Sequence, residues 1–440
     1  MSNRRVTTSD VTLLQHHLSS KALTCLHEPE GMLPYHFVIP TYDAVAGADD
    51  DDALPERSSV GHYLQMYDWD ACLFAQAAHR IGIDGLPLSV VRNFLALQQS
   101  NGFIPRTVSP AQIWDSGDVC KPFLCQTLLA EMEKTGWAER SVVATLLDGL
   151  NRYLEYFQNN RRHTSGLYCW RNVLESGIDN NLALLAPQEA LKDENQTAVT
   201  FPDGRLLATD LNSYLCAEFR AFSRLASSCR RHDLAQRYEQ LGSDLARAIE
   251  ELLWDDELGM YVNLDPVTGE TVRLRCVSGL MPVLFGVASD HRSRRAMQEN
   301  VLNDEHFLRP YGVASMAASE PLSHQSARGL YGRAIVCNWN GPVWVLPNVL
   351  VVRTLLRLNM RKAAVNIARR VIAVMVKSLR ETGVLHENYN ADTGKQLWAP
   401  KFMSWNITAL ELCDLVAQNQ TVNIARQRQL APGLAHQPAA

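Results

Sequence analysis

The sequence predicts an all-α protein in which about twelve helices close into a double ring. Three observations carry that expectation: many segments place apolar residues three and four apart, strand-like alternation is scarce, and the chemically distinctive motifs fall between helices. In chain order the strong segments are Asp70 to Ile83, Leu88 to Ser100, Phe123 to Lys134, Ser141 to Phe157, Leu211 to Ser228, Asp233 to Trp254, Val343 to Leu358, Lys362 to Leu379 and Ser404 to Ala417. Weaker candidates at Val11 to Ser19, Val277 to Phe285 and Ser293 to Val301 bring the count to about twelve, with Gly, Pro, Asn and Asp in the connections. An even series of amphipathic helices, alternately inner and outer, buries one face of each against its neighbours and leaves a cup of loops at one end.

At 440 residues, 46% hydrophobic and 20% charged, the chain is long enough for a large core. No Pro/Ser/Gly-rich linker divides it, so one domain over 1–440 is expected, with 418–440 as a frayed tail. The net charge of -5 offers no basic stripe for phosphates, which argues against nucleic acid as a partner. The ten cysteines form no C-x-x-C pair and read as core thiols, and no zinc-ligand spacing occurs, so neither metal nor cofactor is expected. Polar residues follow Met1, and no apolar run reaches the roughly 18 residues of a membrane span, so a cytoplasmic protein without membrane partners is expected. A homo-oligomer is left open. The acidic run Asp49 to Asp52 reads as a solvated loop tip, with a cover over the site as the alternative. Tyr261 to Gly269 and Tyr389 to Gly394 both read as hairpin turns.

Two separated loop carboxylates are the main chemical signal. Asp179 sits in Gly177-Ile178-Asp179-Asn180, where the flanking residues favour a turn that projects a carboxyl; an Asx-turn aspartate is the alternative. Glu387 follows the apolar stretch Gly383 to His386, so it lies either at an exposed strand end or in a paired functional position. Such a pair fits glycosidic cleavage, one group protonating the leaving oxygen and the other activating water. Tryptophans beside polar residues, in Tyr67-Asp68-Trp69-Asp70 and Trp339-Asn340-Gly341-Pro342-Val343-Trp344, suit a sugar's apolar faces and hydroxyl rim, although core packing is the usual role of tryptophan. Asp70 reads as a helix cap or a hydroxyl ligand, Glu175 as a loop fastener or hydroxyl ligand, and Lys121 as an anion contact or a snorkelling side chain. Phosphate-loop, dinucleotide, serine-hydrolase and H-E-x-x-H signatures do not occur.

With Trp69-Asp70-Ala71, Asn101-Gly102-Phe103-Ile104-Pro105, Lys121-Pro122, Glu175 to Asn180, Trp339 to Trp344, Glu387-Asn388-Tyr389 and Ser404-Trp405 in this order, the chain resembles the inverting α-glycosidases of glycoside hydrolase family 63 and the related trehalases. The resemblance covers about Val38 to Leu415 and implies an (α/α)6 barrel with short β-hairpins over the active-site end. It further implies Asp179 as general acid and Glu387 as general base. Tyr63, Tyr67, Trp69, Asp70, Trp339, Asn340, Gly341 and Trp344 surround the first-subsite sugar in that reading, with Lys121, Glu175, Gly177, Asn180 and Trp405 completing the binding set. The chain looks most like small bacterial members that hydrolyse glucosylglycerate or mannosylglycerate. Lys121-Pro122-Phe123 stands where those members usually carry Gln-Pro-Pro, Met403 where a glutamine often precedes Ser-Trp, and Asn181 where a serine is usual. With no arginine clearly beside Lys121, the reading leans to glycerol over glycerate as the acceptor. A trehalase, a catalytically silent sugar-binding barrel, and a lyase or epimerase using His62 or His386 are the competing readings.

Overall fold

A computed structural model describes residues 6–44, 63–114, 117–184, 206–327 and 337–430, with side chains to residue 419. The acidic run at 49–52 and His62 lie outside them. Twelve α-helices occur among the described residues, one for each predicted segment: α1 (Thr8–Ala22), α2 (Asp68–Ala78), α3 (Leu86–Ala96), α4 (Leu124–Lys134), α5 (Arg140–Asn160), α6 (Thr209–Ser228), α7 (His232–Leu252), α8 (Val277–Leu284), α9 (Asp290–Ala296), α10 (Val345–Arg357), α11 (Arg361–Thr382) and α12 (Ala409–Leu430).

The ends differ where a local device intervenes. Gly82, at φ 79°, ends a 3-10 turn over His79–Ile81, so α2 stops short of the predicted Ile83. Helix α9 loosens into one π turn at Met297–Val301. Val343 and Trp344 form a short strand before α10 because they pair with Tyr389 and Asn388. Ser404–Thr408 is a 3-10 turn leading into α12, whose backbone stays helical through the expected tail as far as Leu430; 431–440 lie outside the described residues.

Even-numbered helices form an inner ring. Neighbours α2, α4, α6, α8, α10 and α12 pack in that order, and the 3-10 turn before α12 closes the ring against α2. Odd-numbered helices pack outside, α3 against α2 and α4, α7 against α6, and α1 against α11 and α12. Burial follows this division. All eight residues of α8 are buried, whereas α7 buries one stripe, Leu234, Tyr238, Gly242, Leu245 and Ile249, spaced three and four apart. The result is the (α/α)6 barrel.

Strands are short and confined to connections. Both predicted hairpin turns occur: Gly269 (φ 74°) between Asn263–Leu264 and Thr271–Val272, and Gly394 (φ 68°) between His386–Tyr389 and Gln396–Pro400. The second hairpin joins Val343–Trp344 in a three-stranded antiparallel sheet that carries Glu387. The six inner helices begin at one common end. Asp70 of α2 bonds Ser404 before α12, Asp68 bonds Lys121 before α4, Asn181 bridges Asp210 of α6 and Ser278 of α8, and Trp344 before α10 meets Trp405. The motif residues therefore gather where the helices present free N–H groups and their positive dipole ends. No described helix is long and apolar enough to cross a membrane.

Glu218 of α6 fastens the ring by accepting from the N–H groups of Cys125 (2.6 Å) and Gln126 (3.1 Å) in the first turn of α4. Burial pushes its carboxyl from 4.5 up to about 7 despite those donors. The native state thus holds its proton to higher pH than the unfolded chain does. The stability this contributes is fully present below about pH 4.5 and is lost as pH rises through about 7. In Glu218→Gln, which cannot titrate, the wild-type-minus-variant unfolding free energy should therefore fall across that window by on the order of 1–3 kcal/mol. Denaturant melts at several pH values measure it, and a flat difference would contradict it.

Candidate active site

The start of α2 is organised by Asp68. Its carboxylate accepts from the Trp69 N–H (2.7 Å) and the Lys121 N–H (2.8 Å), and it holds the Lys121 ammonium at 2.9 and 3.0 Å. Both partners are fully buried, and an ion pair out of water needs this many bonds to persist. The ammonium also lies 5.0 Å from the Trp69 ring centroid. On its other side is Gly177, at φ 76°, where a Cβ would stand 2.5 Å from Lys121 Cε and 3.0 Å from Trp69 Cζ2. Only glycine fits there.

Asp179 follows two residues later on the same loop, which is tied across the barrel by paired amides. Asn180 donates from Nδ2 to Asn338 Oδ1 (3.0 Å) and accepts the Trp339 N–H (2.7 Å), while Asn340 donates to the Asn180 carbonyl (3.2 Å). Gly341, at φ 148°, lets the facing chain approach, since a Cβ would lie 2.3 Å from the His324 carbonyl oxygen. Trp339 and Trp344 stack at 3.8 Å and 9°, with Trp69 (6.1 Å) and Trp405 (6.4 Å) around Trp339. Asp70 accepts from the Ser404 hydroxyl (2.6 Å), and burial raises its carboxyl to about 7.

Opposite stands Glu387, 4% exposed, accepting from the Tyr63 hydroxyl (3.1 Å) and the Cys337 thiol (3.4 Å). Burial, then the charge of Asp179, raise its carboxyl well above the ordinary range, while the two donors oppose the rise. Asp179 also acts through its charge on Tyr63 and Cys337. The charge of Asp179 is therefore felt at Glu387, although the two residues lie far apart in sequence. Tyr67 packs edge-on against Tyr63 at 5.6 Å and donates to Gln65 (3.1 Å).

The model of the mannosylglycerate hydrolase MGH1-like glycoside hydrolase domain matches residues 63–405, most of the chain and all of this site. The chain belongs to that family. Its resemblance to family 63, read from the motifs, stands. A family 63 mannosylglycerate hydrolase from Thermus thermophilus in complex with glucose superposes with a TM-score of 0.66 at 20% identity, covering 90% of this chain and 99% of that one. Neutral trehalase Nth1 from Saccharomyces cerevisiae gives 0.60 at 14%, covering 93% and 82%. Among curated relatives, a mannosylglycerate hydrolase from Rubrobacter radiotolerans is 28% identical over 47% of this chain and 43% of its own length. Human trehalase is 24% identical over 44% and 31%. Each of these two alignments therefore covers less than half of the relative.

Within this glycoside hydrolase domain, Trp69, Trp339, Trp344 and Trp405 cluster, Asp70 bonds Ser404 and Tyr63 bonds Glu387, with Tyr67, Asn340, Gly341 and Asp179 on the adjoining segments. Three other candidate ligands are braces. Glu175 is fully buried and accepts from Arg161 (2.8 Å), Val119 N–H (3.1 Å) and Arg171 N–H (2.7 Å). Asn180 has its amide engaged by the Trp339 loop, and Lys121 is closed off by Asp68 and Trp69. Gly177 makes room for Lys121. Arg106, whose guanidinium donates to the Leu174 carbonyl and faces Asp118 at 3.8 Å, acts through its charge on Lys121 and Asp70. His386 bonds Ser378 of outer helix α11 (3.2 Å), and burial lowers it to about 4, which gives no support to a histidine-based lyase. Asp68 and Ser404 lie inside the quoted motifs without being assigned a role there, and Cys337 and Asn338 only precede one; the partners of all four lie far away along the chain. No described group of three or more His, Cys, Asp or Glu side chains is placed to hold a metal ion.

The buried pair yields a stability test. Asp68→Asn or Lys121→Met alone leaves one uncompensated charge and should cost about 3–5 kcal/mol in urea unfolding. The double variant should recover part of that loss. Additive losses would show that the two groups do not act as a pair.

Proposed function

We propose that this domain is an inverting exo-α-glycosidase acting on a small α-hexoside whose acceptor is glycerol or glycerate, with glucosylglycerol and glucosylglycerate as first candidates. The observation that carries the reading is the electrostatic coupling of Asp179 and Glu387 beside a wall of buried indoles. Two neighbouring carboxyls that repel one another resist ionising together, which suits an acid and a base working at one pH. Asp179 gives its proton to the leaving glycosidic oxygen as the C–O bond breaks. Glu387 takes a proton from water as the water oxygen bonds the anomeric carbon from the opposite face, so the configuration inverts.

The indoles of Trp69, Trp339 and Trp405 offer surface for the sugar's C–H faces, and Asp70 and Asn340 offer polar atoms for its hydroxyls. Trp405 Nε1, buried without an acceptor among the described residues, is a donor that a hydroxyl would satisfy. Lys121 is not a free receptor for a glycerate carboxylate, because Asp68 neutralises it. The Thermus relative's complex with Tris and D-glycerate supports keeping the charged acceptor beside the neutral one.

Purified protein incubated with glucosylglycerol, glucosylglycerate, mannosylglycerate and trehalose should release hexose fastest from one of the first two. Proton NMR of the first-formed sugar should show the β-anomer; initial α-anomer excludes the mechanism. Asp179→Asn and Glu387→Gln should each lower kcat by roughly 10²–10⁴-fold with unchanged circular dichroism, and near-normal turnover in either would remove that residue from its role.

A further inference from the structure

Every hydrogen bond that Glu387 makes through its side chain among the described residues falls on one oxygen, Oε2, from Tyr63 Oη (3.1 Å) and Cys337 Sγ (3.4 Å). Tyr63 Oη and Cys337 Sγ are themselves 2.8 Å apart, so the three groups form a closed triangle. They come from the segment before α2, the segment before Trp339 and the central strand of the three-stranded sheet. Cys337 is 3% and Glu387 4% exposed, so two of the three corners are buried, with Tyr63 partly so.

We propose that Cys337, together with Tyr63, is a positioning residue for the base, gripping Glu387 by Oε2 so that Oε1 is the oxygen that receives the proton of the attacking water. This rests on the glycosidase reading above. In the step itself, the water proton moves to Oε1, the water oxygen bonds the anomeric carbon, and the leaving oxygen takes the proton of Asp179. Phenol and thiol keep their protons throughout. Burial holds the Cys337 thiol well above its ordinary range, so it serves as a donor and not as a nucleophile.

A thiol suits this position for a physical reason. Its S–H is a weak donor, so it orients a carboxylate without stabilising the ionised form as strongly as a hydroxyl would, and the carboxylate keeps its basicity. The groups acting on Glu387 are Asp179 and Asp70, which raise it, and Cys337 and Tyr63, which lower it. Deleting one donor removes stabilisation from the ionised form, and the base then titrates at higher pH.

The test compares Cys337→Ala, Cys337→Val and Cys337→Ser with wild type in the pH profile of kcat/KM. Ala and Val should move the acidic limb up by about 0.3–0.5 unit, less than the pKa equivalent of one ordinary hydrogen bond because the S–H donor is weak, with kcat reduced and KM within about twofold. Val, slightly larger than the thiol and without a donor, fills the space should Ala fold poorly. Ser, which restores an O–H donor, should return the limb to the wild-type position or below. Unmoved limbs in Ala and Val, or kcat and KM changing in proportion, would overturn the proposal even if the enzyme hydrolyses the expected glycosides. A second readout needs no substrate: the infrared carboxyl band that disappears in Glu387→Gln should titrate at higher pH in Cys337→Ala. An unchanged midpoint there overturns the positioning role, whereas inactive wild type with a shifted midpoint overturns only the glycosidase reading.

Discussion

The buried bond between Asp68 and Lys121 is the constraint on which the rest of the site depends. Asp68 opens α2 and binds both the main chain and the ammonium of Lys121, so the starts of two inner helices are locked together. Lys121 in turn supports the Trp69 indole and fills the space left by Gly177, two residues before the proposed acid. One interaction therefore fixes an indole, a helix junction and the loop that carries Asp179. Such a pair contributes modestly to stability when intact, but loss of either partner strands a charge in the interior. Its value here is geometric.

The double ring explains why polar groups collect where they do. Six inner helices start at one end, and each start presents N–H groups that an anion satisfies. Asp68 and Asp70 occupy one such start and Asp210 another, and Glu218 reaches across to a third. Desolvation limits the charge this can gather: Asp70 is raised to about 7 and Asp210 to about 6. The floor of the site is thus built from carboxyls that hydrogen-bond more than they repel. Loops laid over that floor can carry reactive groups at little cost to the scaffold.

The helices were legible because periodicity is local. The stripe of α7 can be read directly, and even the weak segment at Val277 to Phe285 became α8. Boundaries failed where long-range pairing won, as at Val343 and Trp344, whose strand needs Tyr389 and Asn388 as partners. In the site, motif position marked the loop carrying Asp179 and the strand carrying Glu387, because turn chemistry and apolar flanks leave a trace in sequence. The division between wall and brace left none. Glu175, Asn180 and Lys121 look like ligands in a motif, and only distances to Arg161, Asn338 and Asp68 reveal that their polar atoms are already engaged. Cys337 carried no mark at all among ten scattered cysteines.

The near-parallel stack of Trp339 on Trp344 has an optical consequence. Two indoles at 3.8 Å and 9° share excitation, and Trp69 and Trp405 stand close enough to exchange energy with them. Four of the chain's nine tryptophans thus form one coupled chromophore at the place where a sugar would rest. Near-ultraviolet circular dichroism will carry a coupled contribution from this cluster beside that of the other tryptophans, and occupancy of the site should change it without a label.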